Sequence, residues 1–121
     1  MKRTPITLGA TLLGALFLCA APALANEVKK EETGKDISFN RGKGNCLACH
    51  AMPGLPDAEQ PGDSGPPLIA MKDRFPDKKV LRAKIWDATA TNANSYMPPM
   101  GKHKVMTEQE IDKVVDFVYG L

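Results

Sequence analysis

The chain has 121 residues, 16 basic against 14 acidic, a length that fits one domain. A formal charge of +2 gives no argument for nucleic acid or an anionic membrane surface as partner. With ten prolines and ten glycines, the polypeptide alone buries only a modest core.

Met1-Lys2-Arg3 is basic, and an apolar run follows from Ile6 to Ala21 with Thr7 and Thr11 as its polar breaks. Pro22-Ala23-Leu24-Ala25 then supplies a small-x-small pattern before Asn26-Glu27 turns polar. This layout predicts a secretory signal peptide over residues 1–25 that is cleaved, leaving an exported chain with no membrane association. The rival, an uncleaved anchor, would need a longer span than this run offers. Cys19 lies inside the segment behind the large Leu18, which argues against lipid anchoring, so it leaves with the peptide. Cleavage also removes Lys2 and Arg3: 121 minus 25 leaves 96 residues, with 14 basic and 14 acidic side chains.

Residues 26–35 are charged and aperiodic, and read as a flexible lead-in to a domain over 36–121. A short helix is expected from Asp36 to Arg41, with Phe39 as a core aromatic, broken by Gly42-Lys43-Gly44.

Cys46-Leu47-Ala48-Cys49-His50 is a C-x-x-C-H haem attachment sequence. Two thiols three residues apart can each add to one vinyl group of the same porphyrin, and the adjacent imidazole then lies under the iron. The motif therefore predicts one covalently attached haem c held by Cys46 and Cys49, with His50 as an iron ligand. A thioredoxin-like pair would need a βαβ surround, and zinc would need four ligands where only His103 and carboxylates remain.

Residues 53–67 form an irregular loop, marked by Pro53, Gly54, Pro56, Pro61, Gly62, Gly65, Pro66 and Pro67. Within it, Pro66 has two open readings. Its carbonyl could accept from the second ring N–H of His50, because a ligating imidazole is usually oriented in that way. The other reading is a plain turn before a short helix over Leu68–Arg74, which Phe75-Pro76 stops. Asp77 is an N-cap for a helix over Lys78–Ala88, with Val80, Leu81, Ile85 and Ala88 along one face and Trp86 at its margin.

A polar loop over residues 89–96 leads to Met97-Pro98-Pro99-Met100. A thioether is a common sixth ligand to haem iron. Met52 is too close to His50 to reach the opposite face, and Met71 and Met106 read as packing residues. Met97 is favoured because Pro98 holds the residue before it extended and stiffens the loop. Met100 is the competitor, and His103, between two lysines, reads as a surface residue. The last helix starts on the capping box Thr107-Glu108-Gln109-Glu110, and Ile111, Val114, Val115 and Val118 keep helical spacing. No segment alternates as a strand would, so the predicted fold is all-α.

Taken in order, the attachment motif, Gly65-Pro66-Pro67-Leu68, the methionine in a proline loop and a closing helix with Phe117 and Tyr119 resemble class I cytochromes c. More specifically, Arg74-Phe75-Pro76-Asp77 and Ile85-Trp86-Asp87-Ala88, with the flanking motifs, resemble the SoxX family over residues 41–121. Met100 departs from the phenylalanine often found after Met-Pro-Pro there, and residues 26–40 match nothing in particular. The resemblance implies a class I cytochrome c fold around one haem, and it favours Pro66 as the carbonyl partner of His50. It also implies a periplasmic heterodimer with SoxA that oxidatively joins thiosulfate to a cysteine of the SoxY carrier, an S-thiosulfotransferase reaction. The reactive cysteine in that scheme belongs to SoxA, so no catalytic residue is assigned here. This chain would accept electrons and pass them to a soluble acceptor such as another cytochrome c. The alternative is a free-standing electron shuttle that binds no SoxA.

Overall fold

A computed structural model describes residues 30–121, so the expected signal peptide lies outside the described residues. Within them the chain is helical and carries no strand. Four α-helices, α1 (Gly34–Phe39), α2 (Met71–Arg74), α3 (Lys78–Trp86) and α4 (Glu108–Tyr119), are joined by turns. Two of these turns are single 3₁₀ turns, Cys46–Ala48 and Ala88–Ala90.

α1 begins two residues earlier than expected, because Thr33-Gly34-Lys35-Asp36 is itself a capping box. The Asp36 amide donates to the Thr33 hydroxyl at 3.1 Å, and the Asp36 carboxylate accepts from the Thr33 amide at 2.9 Å. Ile37 and Ser38 are fully buried, while Phe39, expected in the core, is half-buried beside them. α1 crosses α4 at Gly34, where a Cβ would lie 2.0 Å from the Lys113 carbonyl oxygen. Only a glycine lets the two backbones approach so closely.

α4 starts on the expected box. Thr107 accepts from the Glu110 amide at 3.2 Å, and the Glu110 carboxylate accepts from the Thr107 amide at 2.8 Å. Ile111, Val114, Val115 and Val118 are all buried. Lys43 bridges the carboxylates of Glu32 and Glu110, tying the start of the domain to the first turn of α4.

α3 packs on α4 and is capped by Asp77, which accepts from the Lys79 amide at 2.9 Å. It stops at Trp86 rather than Ala88. Asp87 turns extended, and its carboxylate accepts from the Thr89 amide at 3.0 Å to open the next 3₁₀ turn. Leu81 and Ile85 are buried, but Val80 is 53% exposed and does not belong to the inner face. Ala70 is left-handed (φ 49°), which confines α2 to Met71–Arg74 and leaves Leu68 outside it.

Candidate functional site

The irregular loop returns onto the cysteine segment through backbone hydrogen bonds. The amides of Gly62, Gly65 and Leu68 donate to the carbonyls of Leu47 (2.9 Å), Cys49 (2.8 Å) and Ala51 (2.8 Å). Gly62 presses against Ala48, where a Cβ would come within 1.9 Å of the carbonyl oxygen. Asn45, left-handed at φ 46°, starts the Cys46–Ala48 turn, and the His50 amide closes it on the Cys46 carbonyl at 2.9 Å.

Cys46 and Cys49 are free, half-buried thiols. Burial pushes the Cys46 thiol above its ordinary value, and a hydrogen bond with the Ser38 hydroxyl opposes part of that shift. His50 Nδ1 lies 2.6 Å from the Pro66 carbonyl oxygen. A carbonyl only accepts, so Nδ1 carries the proton and Nε2 is left as the ring's ligating nitrogen. Gly65 flanks the same ring: a Cβ there would sit 2.4 Å from Cε1 and 2.6 Å from Nδ1.

Cys46, Cys49, His50, Pro66 and Met97 all line one cavity of about 900 Å³. α3 contributes Leu81 and Ile85, and α4 contributes Val114 and Val118, so the walls are mainly apolar. The volume is that of a cofactor site, typically roughly 300–1,000 Å³. Two thiols, an imidazole of fixed tautomer and a thioether on apolar walls fit an iron porphyrin.

Three further methionines reach this cavity, namely Met71, Met100 and Met106, all buried, whereas Met97 is half-buried. Met71 and Met106 therefore combine packing with a place on the site wall. Met52 is buried in the core away from the cavity, and His103 is exposed and outside it. Among the described residues no three His, Cys, Asp or Glu side chains gather as a metal cluster.

Ser38 and Lys84 bear on this site and carry no signal in the sequence, while Gly62, Gly65 and Arg74 stand in motifs that do not by themselves disclose their contacts here.

Residues 31–118 match the sequence profile of the family described as cytochrome C oxidase, cbb3-type, subunit III. The chain belongs to this cytochrome c family. A cytochrome c domain implies haem c, which agrees with the cavity and its donors. The crystal structure of SoxXA from P. pantotrophus is similar at 29% identity and a TM-score of 0.62. That match covers 71% of this chain and 77% of the other. No curated protein matches the chain. Profile, solved structure and strand-free helical architecture together make this a SoxX-like cytochrome with the class I cytochrome c fold.

Proposed function

We propose that this chain is the periplasmic monohaem subunit of a SoxAX-type complex, accepting electrons as thiosulfate is joined oxidatively to a carrier cysteine. The observation that carries the haem assignment is the 2.6 Å approach of His50 Nδ1 to the Pro66 carbonyl beside two free thiols. The likeness to the SoxXA structure supports the partner, a SoxA-type haem subunit.

Cys46 and Cys49 present the sulfurs for the two vinyl groups. His50, oriented by Pro66 and flanked by Gly65, would offer Nε2 to the iron. Met97 offers a neutral sulfur from a loop stiffened by Pro98 and Pro99, held also by the Met97 amide donating to Ser95 Oγ at 3.2 Å. When bound, haem supplies one-electron exchange between ferric and ferrous iron. The buried methionines and α3–α4 aliphatics would keep water from a bound haem, and a thioether ligand from Met97 would favour its reduced state.

With both cysteines committed to attachment, no thiol remains in the domain for sulfur transfer. This fits the scheme that the SoxX resemblance implies, in which the reactive cysteine belongs to the partner. Residues 1–25 are read as a cleaved export signal, and among the described residues no helix is long and apolar enough to cross a membrane.

The test is affinity capture of the tagged protein from its exporting cell, with intact-mass measurement and thiosulfate-dependent reduction followed by visible absorbance. Covalent haem, a second haem chain in the eluate and reduction only with that partner are expected. A monomer with covalent haem and no partner would identify a free shuttle. A polypeptide without the added macrocycle would remove the haem assignment itself.

A further inference from the structure

Without the expected signal peptide the chain is balanced in charge, but its cavity is not. Arg41, Lys43, Arg74 and Lys84 line it, and among the described residues no Asp or Glu does. The other titratable groups on these walls are Cys46, Cys49, His50 and Tyr96. Cations gathered on an otherwise apolar site point to an anionic ligand group.

Three of the four have other commitments or the wrong position. Lys43 is held by the carboxylates of Glu32 and Glu110. Arg74 donates to the Pro67 carbonyl at 2.6 Å and contacts the Met71 sulfur at 3.4 Å, within the shell that orients His50. Arg41 stands a few residues before Cys46, at the attachment edge. Lys84 differs from all of them. On α3 the cavity-facing stripe is Leu81, Lys84 and Ile85, continued by Ala88 of the next turn, so a lysine occupies a helical position where its neighbours are apolar. Its ammonium donates to the Thr91 hydroxyl, which leaves two donors uncommitted by that bond. Asn92 and Asn94 line the cavity from the loop that follows.

In haem the two carboxylates lie on the edge away from the two vinyl groups, hence away from Cys46 and Cys49. The cysteine turn packs on α1, whereas α3 packs on α4 and on the Ala88–Ala90 turn, which is a different wall. Resting on the haem reading above, we propose that Lys84, with the side-chain amides of Asn92 and Asn94, forms the seat for the two haem carboxylates. An ammonium there holds the carboxylates ionised, and it sets the register of the macrocycle opposite its covalent anchors.

The measurement is the midpoint potential of the holoprotein against pH for wild type, Lys84→Met, Lys84→Arg and Arg41→Met. An adjacent cation lowers a carboxyl pKa by roughly 1–3 units. Lys84→Met should therefore move the pH at which the potential begins to fall upward by about one unit or more. Lys84→Arg should restore the wild-type profile, and Arg41→Met should leave it in place. If Lys84→Met does not accumulate, Asn92→Asp, which adds a carboxylate to the same corner, must shift the profile the same way. Covalent haem with an unmoved profile in Lys84→Met, or a larger shift in Arg41→Met, overturns the assignment while leaving the haem reading intact. Absence of haem, seen by mass, removes the parent reading and this one with it.

Discussion

Gly65→Ala isolates the contact that orients the imidazole. The added Cβ would lie 2.4 Å from His50 Cε1, where real Cβ contacts essentially never fall below 3.0 Å. The ring must therefore move by at least 0.6 Å, the difference between those distances, or the loop must move instead. A shift of that size directly away from Pro66 would take the 2.6 Å bond to the long end of the ordinary hydrogen-bond range, weakening it rather than breaking it. Overpacking of this kind costs about 1–3 kcal/mol. In a domain of this size that lowers Tm by roughly 4–8 °C for each kcal/mol. Thermal unfolding of the holoprotein by circular dichroism, read with the visible spectrum, measures both consequences. Gly54→Ala is the internal control, since a Cβ there meets nothing within 4 Å. If Gly65→Ala melts with the wild type and keeps its ferric spectrum and potential, the close packing of Gly65 on the ring is not what orients His50.

The two candidate sulfurs separate by spectroscopy. Met97→Ala should abolish the sulfur-ligated ferric spectrum, whereas Met100→Ala should keep it. Met100 is 7% exposed, so its truncation should instead cost about 2–5 kcal/mol, read by urea unfolding. The Glu110 carboxyl is held down at about 2, chiefly by Lys43 and then by the Thr107 amide, against an ordinary value of 4.5. A lowered folded pKa gives stability that is full above 4.5 and lost as pH falls toward 2. Lys43→Met should therefore lower the urea midpoint at neutral pH and converge on wild type near pH 2, and parallel curves across that window would sink the linkage. Gly34→Ala drives a Cβ to 2.0 Å from the Lys113 carbonyl oxygen, where neither helix backbone can yield alone. It should destabilise by about 3 kcal/mol, the upper end for overpacking, in the same assay.

Where a signal was local, it could be read from the sequence. Thr107 and Glu110 are three residues apart and satisfy each other's amides, so the start of α4 follows from side-chain chemistry alone. The same applies to Asp77 at the head of α3. The start of α1 was misplaced because Asp36, not glutamate, closes its box. Its partner Thr33 lay in a stretch that looked only charged. Ala70 gave no warning of a left-handed backbone, since alanine has no preference for one, and the helix expected from Leu68 was shortened accordingly. Val80 fitted the apolar spacing of α3 but faces outward, because α4 covers only the Leu81–Ile85 side. The cysteine–histidine motif carried its chemistry in five consecutive residues. The backbone return of Gly62 and Gly65 onto that motif is a contact across the loop, and no periodicity encodes it.

Trp86 is the chain's single tryptophan, and its indole lies flat against Gly101, where a Cβ would approach Cε3 to 2.1 Å. Its carbonyl accepts from the amides of Gly101 (3.1 Å) and Lys102 (3.3 Å), so the far end of the methionine loop is stapled to the last residue of α3. The molecule thus carries an intrinsic fluorophore where the loop that bears Met97 and Met100 is fastened to α3. Emission from that one indole would follow detachment of the loop separately from melting of the helices, with no label introduced.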